Sequence, residues 1–131
     1  MPHPDLEVHK FVIEVEGGAT SEVPVLGADK IEFKIPESSK YTVTIFFKVK
    51  NNKLTDLKYK QVVKKAGIPI KTRENELGTY EPSDELLSVT FPQDESPGGY
   101  FIRGTYPAQS TYYANGEELT VVDWTLEITK K

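Results

Sequence analysis

Apolar and polar residues alternate with a period of two through most of the chain, the pattern of strands that bury one face. The clearest stretch is Tyr41-Thr42-Val43-Thr44-Ile45-Phe46-Phe47-Lys48-Val49-Lys50. Tyr41, Val43, Ile45, Phe47 and Val49 share one face, and Thr42, Thr44, Lys48 and Lys50 share the other, with Phe46 the exception. Looser or shorter runs cover Val8 to Val15, Ile31 to Ile35, Leu57 to Val63, Leu87 to Phe91 and Tyr100 to Tyr106. The last run, Leu119 to Thr129, puts Val122, Trp124, Leu126 and Ile128 opposite Asp123, Thr125, Glu127 and Thr129. No window of eleven or more residues keeps a 3.6-residue apolar period.

Between these runs stand turn signals: Gly17-Gly18, Asn51-Asn52, Ser96-Pro97-Gly98-Gly99 and Asn115-Gly116. Asn-Gly supplies the positive φ angles of a tight hairpin. Residues 71–86 hold five acidic side chains and little periodicity, and read as a long connection with room for a short helix. Seven to nine short strands in a chain of this length predict an all-β fold, an immunoglobulin-like two-sheet antiparallel β-sandwich. Residues 1–131 form one domain in this reading, with 1–7 a flexible lead.

Composition narrows the function. The 131 residues carry a net charge of −4, which does not suit a nucleic-acid binder. The charge is uneven: residues 1–65 hold 11 basic and 9 acidic side chains, whereas 66–131 hold 5 and 11. The acidic half is either a solvated surface or a face for a basic partner. There is no cysteine, which excludes disulfides and thiolate chemistry. Apolar stretches reach only three to four residues, too short to span a bilayer. The first residues lack the basic and apolar regions of a secretory leader, and no Asn-x-Ser/Thr acceptor occurs. These features predict a cytoplasmic protein without stable membrane insertion.

No catalytic constellation stands out. Phosphate-loop, dinucleotide-binding and nucleophile-elbow motifs are missing. His3 and His9 fall near the chain start, a poor place for a metal site. Asp94-Glu95 and Glu117-Glu118 flank turn signals, and neighbours on a strand point to opposite faces, so neither makes an obvious acid/base pair. They are solvated loop charges or contacts for a basic peptide. Tyr41, Phe47, Phe33, Phe91, Phe101 and Trp124 fall on or near inward faces. Such aromatics fill a sandwich core about 10 Å thick, or line a gap left open for an apolar ligand; on periodicity alone the filled core is the expectation.

Several blocks in order change that weighting. They are Phe33-Lys34-Ile35-Pro36-Glu37, Tyr41-Thr42-Val43, Phe47-Lys48-Val49, Leu57-Lys58-Tyr59-Lys60-Gln61 and Gly67-Ile68-Pro69-Ile70. Gly78-Thr79-Tyr80-Glu81-Pro82, Asp94-Glu95-Ser96-Pro97-Gly98-Gly99, Arg103-Gly104-Thr105-Tyr106 and Trp124-Thr125-Leu126-Glu127-Ile128-Thr129-Lys130 follow. From about residue 31 onward the chain resembles the immunoglobulin-like C-terminal domain of Rho GDP-dissociation inhibitors, with Leu6 to Val15 matching that domain's first strand. The resemblance implies a non-enzymatic, cofactor-free, monomeric protein. It would bind prenylated Rho-type GTPases, keep them soluble and GDP-bound, and hold the geranylgeranyl isoprenoid between its sheets.

Matched to the family's prenyl pocket are Ile13, Phe33, Tyr41, Phe101, Ala108 and Trp124; Lys53 stands where the family has an apolar pocket residue. Asp94 and Glu95, with Glu117 and Glu118, match acidic positions that meet a GTPase's basic tail. Departures occur at Lys71-Thr72-Arg73-Glu74, where an acidic contact has become basic, at Asn75-Glu76, ordinarily apolar, and at Val122, ordinarily tryptophan. The family's N-terminal regulatory arm has no counterpart in the sequence. Two other readings stay open: a sandwich carrier of prenyl or acyl groups with broader cargo, and a non-catalytic interaction module with a filled core.

Overall fold

The computed structural model describes residues 3–98 and 102–130. Ten strands lie in this range: β1 (Leu6–Val15), β2 (Thr20–Pro24), β3 (Glu32–Pro36), β4 (Lys40–Val49), β5 (Leu54–Lys65), β6 (Ile68–Tyr80), β7 (Leu87–Thr90), β8 (Asp94–Glu95), β9 (Gly104–Ala114) and β10 (Glu117–Thr129). One sheet runs β2-β1-β4-β7, with β8 also on β4; the other runs β3-β10-β9-β5-β6. All pairings are antiparallel except β3 with β10. The two sheets pack face to face as the immunoglobulin-like sandwich that the alternation predicts. Among the described residues no helix is long and apolar enough to cross a membrane.

β4 keeps strict alternation, with Tyr41, Val43, Ile45, Phe47 and Val49 all buried. Phe46, the exception in the pattern, faces outward and is half covered by Lys10, whose Nζ lies 5.2 Å from the ring centre. Across the core, Phe11, Phe33, Tyr59 and Trp124 meet edge-on or tilted, with Phe11–Phe33 at 5.2 Å and Phe33–Trp124 at 4.6 Å. Such offset geometries suit the ring quadrupoles. The lead expected over 1–7 gives way earlier than the sequence suggests. Leu6 is buried and pairs with Val49, so β1 begins there.

Residues 71–86 depart most from expectation. Most of that span is β6, and the connection begins only after Tyr80. β6 is an edge strand paired on one side to β5. An edge strand needs little apolar surface, so its charges hid it from a search for buried alternation. The β5–β6 hairpin turns on Ala66 and Gly67, at φ 51° and 79°. The β9–β10 hairpin uses the recognisable Asn115 and Gly116, at φ 55° and 76°. Both have the two positive φ values of a type I′ turn. Alanine is strained in that region, by roughly 1–2 kcal/mol. Ala66→Asn is therefore expected to stabilise the domain by about 0.5–1 kcal/mol, read as a higher urea midpoint at unchanged slope.

Candidate functional site: a cavity between the sheets

The core is packed in the middle and open at one end. A cavity of about 430 Å³ lies between the sheets where β4 and β9 begin and β5 and β10 end. Tyr41 and Val43 of β4 and Phe91 form one wall; Phe33, Ile35, Tyr59, Val63, Trp124, Leu126 and Ile128 form the other. Below it, only about 10 Å³ remains among Phe11, Phe33, Tyr59, Ser110, Tyr112 and Trp124, which act as a floor. A wider recess of about 810 Å³ occupies the far end. His3, Glu7, Lys50, Asn51 and Asp84 mix with its apolar residues, so it lacks the two facing apolar walls of the first cavity.

The floor is fixed by hydrogen bonds. Trp124 Nε1 donates to Ser110 Oγ at 2.8 Å. Tyr59 donates its hydroxyl to Gln61 Oε1 at 3.0 Å and shares a 2.8 Å contact with Ser110 Oγ. Tryptophan can only donate, so the Ser110 hydroxyl is left to donate to Tyr59. Each proton in this chain has one acceptor. Burial pushes the Tyr59 phenol far above its ordinary range, which keeps it a neutral donor.

The rim on the β3–β4 side is also tied down. Ser96 Oγ donates to the Pro36 carbonyl at 2.6 Å and accepts from the Ser39 amide at 2.9 Å. The Ser38 amide donates to Pro97 O at 3.0 Å, and the Glu37 amide to Thr129 O at 2.9 Å. Arg103 grips Glu37 through two bonds of 2.7 and 2.9 Å. That bidentate geometry suits a guanidinium and a carboxylate.

The opposite side of the mouth is held by charge. Asp94 Oδ2 accepts from Lys71 Nζ at 2.5 Å and Tyr41 Oη at 3.1 Å, with Arg73 Nη1 3.6 Å away. Asp94 Oδ1 accepts from the Glu95 amide at 2.9 Å. Partial burial pushes the Asp94 carboxyl up; the Lys71 and Glu95 hydrogen bonds and the Lys71 and Arg73 charges together hold it below its ordinary value. Burial, and then the Asp94 charge beside it, push the Tyr41 phenol well above its usual range. Arg73 also donates to the Pro92 carbonyl and lies 5.8 Å from the Phe91 ring centre.

The structure brings some of the expected site residues together and separates others. Phe33, Tyr41 and Trp124 line the cavity. Ile13 is fully buried beside Val43 on the inner face of its sheet but does not line the cavity. Ala108 is buried between Trp124 and Val63 in the register of its sheet and also lies outside the lining. Phe101 lies outside the described residues. Glu95 lines the mouth, whereas Asp94 is consumed by its internal partners. Glu117 and Glu118 sit at the β9–β10 hairpin, at the far end of the sandwich. That is roughly 30 Å away at about 3.3 Å per strand residue.

Lys53 is exposed at that far end, 3.4 Å from Glu81, and Val122 borders the far recess. Asn75 turns inward opposite Tyr59, and Glu76 is exposed. Missed by sequence reasoning were Lys65, Ile70, Lys71 and Arg73, all on the cavity wall. The signal that finds them is register: Lys71 pairs with inward Val63, and Arg73 with Gln61.

A family model described as "RHO protein GDP dissociation inhibitor" matches residues 1–131. The Rho GDP-dissociation inhibitor of Saccharomyces cerevisiae is 35% identical over 117 residues, covering 86% of this chain and 57% of the yeast protein. Rho GDP-dissociation inhibitor 1 of Arabidopsis thaliana is 29% identical over 100 residues, covering 76% of this chain and 42% of that one. The chain thus spans about half the length of the curated relatives it matches. Among solved structures, a Niemann-Pick type C2 protein from the Japanese carpenter ant superposes with a TM-score of 0.54 at 12% identity. That superposition covers 98% of this chain and 100% of the ant protein, a likeness of fold.

Two outcomes follow from the geometry. Asp94 is depressed when folded, so its contribution is fully present above its ordinary value near 3.8 and is lost as pH falls through the folded value. Asp94→Asn should flatten the fall in urea midpoint between about pH 4 and pH 2. Ala108→Phe, placed against packed neighbours rather than open space, should destabilise by about 1–3 kcal/mol in the same assay.

Proposed function

This chain belongs to the Rho GDP-dissociation inhibitor family, and from that premise we propose that it is a non-catalytic carrier for prenylated Rho-type GTPases. The isoprenoid enters the inter-sheet cavity, and the GTPase is kept off membranes with GDP bound. The observation that carries the reading is the cavity itself. Interiors of small domains are close-packed, yet here about 430 Å³ stays open within an apolar wall. That volume falls in the range of small-ligand pockets.

Phe33, Tyr41 and Trp124 grip the chain in this proposal, while Ile13 and Ala108 back the walls. Phe101 keeps the prenyl-binding role that the family likeness gives it. Glu95, which is free of the Asp94 cluster, is the acidic residue best supported as a contact for a basic tail. A twenty-carbon isoprenoid gains on the order of 10 kcal/mol on leaving water, at about 0.8 kcal/mol per buried methylene. A bilayer offers the same gain, so extraction draws its surplus from protein–protein contacts and from charge.

The test is saturable binding of a fluorescent geranylgeranyl peptide, together with pull-down of a Rho-type GTPase in prenylated and unprenylated form. The probe should bind, and only the prenylated GTPase should be retained. Val43→Trp, which fills the cavity from β4, should weaken probe binding about tenfold or more, equivalent to ~1.4 kcal/mol. Circular dichroism would check that this variant is folded. Unchanged affinity in a folded Val43→Trp, or no saturable binding at all, would overturn the reading.

A further inference from the structure

The cavity has an apolar interior but a cationic side. Lys65, Lys71 and Arg73 all line it, brought there by the β5–β6 hairpin. Two carboxylates face them across the mouth, Asp94 and Glu95. Three cations against two anions leave the mouth locally positive on a chain whose net charge is −4. Asp94 is already saturated, accepting from Lys71, Tyr41 and the Glu95 amide. Lys65 makes no ion pair among the described residues, and Glu95 side-chain oxygens accept no hydrogen bond there.

Arg73 is the most suggestive of the three. Its side chain is only 15% exposed. It is held in place by the Pro92 carbonyl, Asp94 and the face of Phe91. A guanidinium has five donors in a fixed fork, more than these partners occupy. Lys71, at 35% side-chain exposure, likewise has donors beyond the one given to Asp94. Spare donors on half-buried cations beside an apolar cavity are what an amphiphile with a negative head requires.

We infer that the cavity accepts a second class of ligand, a single-chain lipid with a carboxylate or phosphate head, its chain between the sheets and its head on Lys65, Lys71 and Arg73. This rests on reading the cavity as a lipid-tail pocket. It adds that free anionic lipids compete with prenylated cargo for the same space. It also gives a role to the basic residues at 71 and 73, which a cation-tailed partner alone leaves unexplained. The head approaches from the β6 side, because the β3–β4 rim is closed by the Ser96, Ser38 and Glu37 bonds.

The experiment is displacement of the fluorescent geranylgeranyl peptide by chain-matched pairs below their micelle concentrations. The pairs are geranylgeranyl phosphate with geranylgeraniol, and palmitate with hexadecanol. At least one anion should compete about tenfold better than its alcohol, the scale of one charge-assisted hydrogen bond. The ratio should shrink as salt rises. Lys71→Gln with Arg73→Gln should bring the ratio close to one, and Lys65→Gln should lower it. Asp94→Asn frees the cations and should raise it. That opposite direction separates a head site from general loosening of the mouth. Equal competition by anions and alcohols would overturn the inference while leaving the tail pocket standing, as would a ratio indifferent to the Lys71→Gln/Arg73→Gln change. If the probe itself fails to bind, the tail pocket falls and this inference with it.

Discussion

An indole N–H and a phenol oxygen cannot be left bare in an apolar interior, and the hydroxyl of Ser110 serves both. It accepts a hydrogen bond from Trp124 Nε1 and donates one to Tyr59, whose own hydroxyl donates to Gln61. Trp124 is thereby fixed against Phe33, and Tyr59 against Phe91, with ring centres 4.6 and 5.2 Å apart. The first contact stiffens one sheet and the second bridges the two at mid-height. Above them lies the cavity; below them, the core continues as ordinary packing around Phe47, Leu54 and Leu57. A small polar side chain thus sits in the packed floor on which the cavity rests.

The two sides of the mouth are built on different physics. The β3–β4 side is knitted mainly by backbone amides and the Ser96 hydroxyl, which salt and moderate pH changes barely affect, with the Arg103–Glu37 pair added at its edge. The β6 side rests on Asp94 between Lys71 and Arg73, partly exposed charges that salt screens and acid neutralises. Lys71 and Arg73 thus hold Asp94 as part of a wall, while the Glu95 side chain faces outward.

The architecture was legible because most strands bury one face. β4 and β10 could be assigned residue by residue from alternation, and Asn115-Gly116 marked its hairpin. β6 was not legible, since an edge strand carrying Lys71, Arg73, Glu74 and Glu76 obeys no apolar period. Its turn, Ala66-Gly67, also lacks the asparagine that announces such a hairpin. For the site, Phe33, Tyr41 and Trp124 could be found because inward aromatics and family blocks agreed. Whether the core is filled or open was undecidable from periodicity, because an inward residue looks the same beside a void or beside a neighbour. Ile13 and Ala108 illustrate this: both point inward, and both are packed. The separation of Asp94-Glu95 from Glu117-Glu118 depends on which strand ends share an end of the sandwich, a matter of topology.

Sheet edges raise a further consequence, for crowding. Three of the edges are short: β2 and β3 have 5 residues each and β7 has 4. The fourth, β6, presents 13 residues with a free row of amides and carbonyls, and Ile68 and Ile70 are exposed near its start. A long open edge is an invitation for another chain to add a strand. Along β6, basic Lys71 and Arg73 are followed by acidic Glu74 and Glu76, so a second β6 added parallel and in register meets like charges at all four positions. The residues that give the cavity its charged wall thus also oppose the in-register stacking of this edge from which fibres grow.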